Sequence, residues 1–371
     1  MPGVAEQARV PAGEADAGLP PGAAWVTVTG VPRPGQPADG QAAGRPGREA
    51  DAMPGRGARW RWGPVAVAAA AVALTVLAFC AFGGTAAAAS PGRAPGTAVV
   101  VASFNFPESE LLAAIYALAL LQAGIPARLQ LGLGPRELVQ PALAQGLVDV
   151  VPEYLGTALA SLEPAAGAAM SDPAAVRREL VRALARWPVQ VLQPAAAQNQ
   201  DGLAVTRATA ARLRLHAISD LGPFAPQMIL GGPPECPQRP SCLPGLRRVY
   251  GLEFAGFAPL DTEHERIEAL RHGVADVVVT GTAGGYLTSG DLVLLADDRQ
   301  LQPPGNIVPL VHAGAAARYG ARLADALNAV SARLTTSDLI YLNRQITVAG
   351  HNVLAEARAW LEHQRILPQP G

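Results

Sequence analysis

No sustained helical or strand period runs through residues 1–59, where text such as Pro32-Arg33-Pro34-Gly35 is rich in Pro, Gly and Ala. Such a stretch cannot bury enough apolar surface to offset its chain entropy and is read as disordered. Residues 64–82 are then almost wholly apolar, with Val65, Leu74, Val76, Leu77 and Phe79 among them. That is about the length that crosses a bilayer as a helix. From residue 97 short apolar runs alternate with helical periods. Thr97-Ala-Val-Val-Val101 is the β-branched run of a strand buried on both faces. Pro107-Glu108-Ser109-Glu110 opens a helix whose Leu111, Leu112, Ile115, Ala119 and Leu120 share one face, with Gly124 as its stop. A strand over 127–131, a helix from Pro135 to Leu143 ended by Gly146, and a strand over 148–151 follow. This β-α-β-α-β order with short connections predicts a parallel sheet covered by helices. A second alternation takes in 203–206, 228–230, a helix around 266–271 and a strand over 277–279. Helices over 315–334, 337–346 and 353–363 close the chain. Two α/β lobes predict a cleft between them.

Charge and residue usage exclude several functions. A net charge of −1 leaves no global field to hold nucleic acid. All 29 basic residues are arginine, because the sequence contains no lysine. No lysine can therefore cradle a nucleotide phosphate, form a Schiff base or attach PLP. If the protein serves an energy-consuming process, another chain hydrolyses the nucleotide. The sequence has no His-Glu-x-x-His pair and no Gly-x-Ser-x-Gly elbow, and its six histidines are scattered. It reads as a non-enzyme, without cofactor or metal.

Arg56, Arg59 and Arg61 precede the apolar run and no further arginine follows until Arg93, which orients the N-terminus to the cytoplasm and the rest outside. Residues 60–84 are read as a transmembrane anchor or the h-region of a signal peptide, and 85–96 as a linker. The small residues Thr85-Ala86-Ala87-Ala88-Ala89-Ser90 suit a signal peptidase, and text read from Met53 has a normal n-region. That reading makes Met53 the true start; cleavage and anchoring both stay open. Cys80 follows Phe79, too bulky for a lipidation box, so lipidation is the least favoured anchor. Cys236 and Cys242, an even pair in an exported segment, suggest a disulfide closing a short loop, since a metal site lacks its usual spacing here.

Three segments carry a resemblance: Val99-Val-Val-Ala-Ser-Phe-Asn105-Phe106-Pro-Glu108, Gly132-Leu-Gly-Pro-Arg136-Glu137-Leu-Val-Gln-Pro141, and Gly146-Leu-Val-Asp149-Val-Val-Pro152-Glu153-Tyr154-Leu-Gly156-Thr157. Together with Ile218-Ser-Asp220, Pro244-Gly-Leu246, Gly273-Val-Ala-Asp276 and Asp291-Leu-Val-Leu-Leu295, the text over 97–365 resembles the glycine betaine/carnitine/choline family of ABC-transporter substrate-binding proteins. The resemblance implies a two-lobed periplasmic-binding-protein fold of the second type, with lobe I from 97–200 plus 304–371 and lobe II from 201–303. It also implies capture of a small osmolyte-like solute outside the membrane and delivery to an ABC permease powered by a separate ATPase. An anchored ligand-sensing ectodomain of the same fold is the alternative.

A quaternary ammonium donates no hydrogen bond and is held by aromatic faces, whereas a carboxylate on the same ligand seeks arginine or a hydroxyl. The resemblance therefore makes Tyr154 and Thr157 ligand-binding candidates, with Arg239 for a carboxylate and Asn105 and Phe106 beside them. Thr157 also suits an N-cap. Where the family often has tyrosines, this chain has Asp201 before the Leu-Ala-Val strand and Gly305 after Pro303-Pro304, and Gly281-Thr282-Ala283-Gly284 replaces an aromatic-containing segment. Asp201 is a candidate partner for a cationic ligand. Tyr154→Phe is expected to cost much less affinity than Tyr154→Ala, because the ring face survives.

Overall fold

The computed structural model describes residues 24–26, 97–163 and 170–367. The apolar run at 64–82, the candidate start at Met53 and the small residues after the run lie outside the described residues. Among those described, no helix is long and apolar enough to cross a membrane.

Two sheets divide the described chain. The first runs β1-β3-β2-β4-β11-β5, from Ala24–Val26, Ala127–Leu131, Val99–Ala102, Val150–Tyr154, Ile307–His312 and Val189–Val191 respectively. The second runs β10-β6-β9-β7-β8, from Leu292–Leu294, Asp201–Thr206, Val277–Gly281, Ile229–Gly232 and Gly256–Pro259. β2 pairs in parallel with both β3 and β4, as the alternating text predicts, while β11 joins β4 antiparallel. The chain crosses between the sheets after β5 and again before β11. The two crossings touch, because Asn199 N–H donates to Gly305 O at 3.0 Å.

Within 1–59, read as disordered, Ala24–Val26 pairs antiparallel with β3. Backbone pairing needs only an open strand edge, not a hydrophobic period. A second difference concerns the helix Pro107–Gln122 (α1). Its residues Leu111 to Leu120 are all buried, not only one face. The helix packs on β2 and β3 and beneath the helices Ala321–Ser331 and Val353–His363, so it has neighbours on every side. The helix expected over 315–334 is two helices, Ala313–Tyr319 and Ala321–Ser331, broken at Gly320, whose φ of 57° lies in the left-handed region.

β11 is central yet contains Pro309, which lies opposite Pro152 of β4. Leu155 N–H bonds Asn306 O and His312 N–H bonds Asp149 O, so alternation along the ladder puts the 152/309 pair at a non-hydrogen-bonded position. Neither missing N–H costs a bond of that ladder.

Each lobe has its own core. In the second, Leu203, Val205, Val277 and Val279 face one cluster and Ala204 and Val278 the opposite one, the period-2 signature of a sheet covered on both faces. The disulfide between Cys236 and Cys242, with Cα atoms 5.2 Å apart, is buried in the first of these clusters. Ala283, in the loop after β9, is fully buried in the core of the first lobe instead. The loop of one lobe thus inserts into the other.

Candidate functional site

β4 ends in Pro152-Glu153-Tyr154, and α3 (Leu155–Leu162) starts at once. Glu153 is the one charge in that buried strand, and a buried carboxylate needs a partner. Arg136, the first residue of α2 (Arg136–Ala144), supplies it: Nε donates to Glu153 Oε1 at 2.8 Å and Nη2 to Oε2 at 3.0 Å. The same Nη2 reaches Thr157 Oγ1 at 3.1 Å, and the guanidinium lies 5.1 Å from the Phe104 ring centroid. Burial works against the charge of Arg136, but Glu153, with Asp201 and Glu137 adding, holds its pKa above the ordinary value.

Tyr154 is buried, and its hydroxyl donates to Glu108 Oε1 at 2.6 Å. Its ring lies 6.1 Å from that of Phe106, which stacks on Phe104 at 5.8 Å. Glu108 sits in the first turn of α1 and is itself buried. Asn199 Nδ2 donates to both of its oxygens at 2.9 Å, and Asn343 Nδ2 donates to Oε2. Burial pushes the Glu108 carboxyl above the usual carboxylate range and the Glu263 charge adds to this, while Asn199, Tyr154 and Asn343 pull it back.

The sequence-predicted residues fall into two groups. Phe106, Tyr154 and Thr157 come together around β4, with the exposed Asn105 beside Phe106. Asp201 starts β6 at the lobe junction; it is half-buried and feels the charges of Arg136 and Arg266, and its side chain makes no hydrogen bond or ion pair among the described residues. Arg239 makes no hydrogen bond, ion pair or ring contact with Phe106, Tyr154 or Thr157 among the described residues. On the disulfide-closed loop of the second lobe, it meets Glu137 of α2 at 3.3 Å and Glu235 at 3.6 Å, so its guanidinium already joins the lobes. Thr157 is not an N-cap: it is the third residue of α3, and its hydroxyl donates to Tyr154 O at 3.3 Å.

Sequence reasoning missed Glu108, Arg136, Asn199 and Asn343 as site residues. The first two lie within the motif segments, and the lone charge of Glu153 in an apolar strand signalled that a cation must face it. Nothing local marks Asn199 or Asn343, which arrive from 91 and 235 residues away. Among the described residues no cluster of three His, Cys, Asp or Glu side chains is placed to hold a metal. Two surface cavities, of about 460 and 510 Å³, are not lined by Tyr154; the first runs along Ala313–Ala324 and the second lies at the crossings beside Gln198, Gln200 and Gln302.

Known proteins share this architecture. The crystal structure of a glycine betaine/carnitine/choline ABC transporter superposes with a TM-score of 0.58 at 21% identity, covering 72% of this chain and 99% of the other. Lactococcal OpuAC, closed on glycine betaine, gives 0.53 at 15% identity over 72% of this chain and 96% of its own. At such identities the likeness is one of fold, the two-lobed periplasmic-binding-protein type 2 fold. In sequence, the glycine betaine-binding protein YehZ of Escherichia coli (strain K12) is 27% identical over 269 residues, 69% of this chain and 87% of the relative. The model for the substrate-binding domain of ABC-type glycine betaine transport systems matches residues 97–363, and the chain belongs to that family.

Proposed function

We propose that this protein captures a small osmolyte of the glycine betaine and choline class on the outer side of the membrane and delivers it to an ABC permease powered by a separate ATPase subunit. The observation that carries the reading is the pairing of aromatic faces with a carboxylate at the lobe junction. Phe106 and Tyr154 have ring centroids 6.1 Å apart. Asp201 starts β6 at the lobe junction, where its side chain makes no hydrogen bond or ion pair among the described residues but shares the field of Arg136 and Arg266. Aromatic faces and a carboxylate attract a cation that cannot donate hydrogen bonds. Asn105 and Thr157 border this group. Arg239 takes the carboxylate end of a zwitterion in competition with Glu137 and Glu235. The reading is of capture rather than turnover, and the N-terminal apolar run supplies export, by cleavage or by anchoring.

Titration calorimetry with glycine betaine and choline tests it. Binding of either, weakened about ten-fold by Tyr154→Ala, supports the reading. Arg239→Ala should weaken glycine betaine and leave choline unchanged. Absence of binding to both solutes by the wild-type protein would refute this substrate class.

A further inference from the structure

Glu108 occupies an unusual position for an acid. It is buried, and among the described residues no arginine or histidine forms an ion pair with it. Its partners are all neutral donors: the Tyr154 hydroxyl, Asn199 Nδ2 and Asn343 Nδ2. Both amides also bond one residue of the other lobe, Asn199 through its Oδ1 and Asn343 through the same Nδ2 that meets Glu108. Ala283 N–H donates to Asn199 Oδ1 at 3.0 Å, and Asn343 Nδ2 donates to Ala283 O at 2.9 Å. These two bonds fix which way each amide points, because a flip of either would set like groups against the Ala283 peptide. Both Nδ2 groups are thereby aimed at Glu108.

There is little slack around this cluster. A Cβ added at Gly281 would come within 2.7 Å of Asn199 Oδ1, and one at Gly305 within 2.0 Å of Asn199 O. Ala283 itself has no exposed surface.

We propose that Glu108 is a positioning residue: it sets the Tyr154 ring and, through Asn199 and Asn343, holds the Ala283 peptide of the second lobe in the first, so that site geometry and lobe junction are established together. The link to solute binding rests on the assignment of Tyr154 to the site; the link to the junction does not. Glu108 acts without touching the solute.

The groups facing Glu108 make the substitution Glu108→Gln informative. A glutamine keeps the size but turns one acceptor into an NH2 that confronts the pinned amide donors. Amide hydrogen exchange of the full chain, without added solute, reads the junction directly. Glu108→Gln should accelerate exchange over 282–284 by about ten-fold, the loss expected when one supporting hydrogen bond goes, with β2, β3, β7 and β8 little changed. Unchanged exchange at 282–284, or an equal rise through both sheets, would overturn the proposal, since the latter is what general destabilisation produces. If Glu108→Gln does not fold, Asn343→Ala removes one arm while leaving the carboxyl and Asn199, and the same local acceleration is required. Combining Glu108→Gln with Tyr154→Phe tests the other end: glycine betaine affinity should fall in each single variant and fall little further in the double, and additive losses would overturn the coupling to Tyr154. If the wild-type protein binds no glycine betaine, the solute assignment fails by itself, and the exchange result still decides the role of Glu108.

Discussion

Arg136 and Glu153 meet through two parallel hydrogen bonds of 2.8 and 3.0 Å, with the Glu153 side chain wholly inaccessible to solvent. The pair joins the start of α2 to the end of β4, and Thr157 and Phe104 bear on the same guanidinium. Removing Arg136 leaves Glu153 buried without a counter-charge, with only the Tyr154 N–H and Gln140 Nε2 donating to it. Arg136→Ala should therefore lower stability by about 3–5 kcal/mol, measured by urea denaturation. Replacing both residues with apolar ones of similar volume should cost less than the single change. A stability loss under about 1 kcal/mol for Arg136→Ala would mean that water reaches Glu153.

Tyr154→Phe carries a cost that the ring-face argument from sequence does not include. The hydroxyl is one of the donors to buried Glu108, and deleting it leaves an acceptor oxygen short of a partner. The expected loss of stability is about 1–3 kcal/mol. Thermal unfolding of Tyr154→Phe beside wild type measures it, and an unchanged midpoint would contradict it.

The Glu137–Arg239 pair predicts a pH dependence with a definite sign. Burial opposes the charge on Glu137, but its own backbone N–H and Arg239 outweigh this and hold the carboxyl below the usual range. A depressed folded-state pKa contributes stability that is complete above the unfolded value, about 4.5, and disappears as pH falls through the folded value. The difference in stability between wild type and Glu137→Gln should thus be present at neutral pH and vanish in acid. Because the Glu137 side chain is half exposed, added salt should shrink it as well. Denaturation curves across pH and ionic strength check both statements.

Gly305 stands where the family often has tyrosine, and the space for a side chain is filled by the first crossing. A Cβ there would lie 2.0 Å from Asn199 O, a backbone atom that cannot swing aside. Gly305→Ala should cost about 1–3 kcal/mol or more and weaken solute binding by displacing Asn199. A variant of wild-type stability and affinity would show that the crossings can separate freely.

Much of the fold is legible in the residues alone. The β-branched run at Val99, the helix opened by Pro107 and the β-α-β order up to Tyr154 follow from local periods, and the parallel pairing of β2 with β3 and β4 agrees with them. The short strands at Val189–Val191 and Leu292–Leu294 escape such reasoning, since three residues carry too little pattern. β11 escapes it for another reason. Pro309 argues against a central strand, and it is tolerated because its missing N–H faces away from β4 toward Leu192, whose carbonyl accepts from Arg177 Nε instead.

The site divides in the same way. Tyr154, Thr157 and Phe106 are marked by their motif segments, and Glu153 by being a charge among apolar neighbours. Residue types and local order are enough for the fold family, the lack of lysine chemistry and the aromatic residues of the candidate site. That Arg239 joins Glu137, that Glu108 binds Tyr154, and that Asn199 and Asn343 clamp Ala283 comes from three-dimensional packing alone. Those contacts bring together residues that are distant along the chain. No local period encodes them; they exist because two chain crossings and the loop after β9 are packed into one junction, where most buried polar groups find a partner.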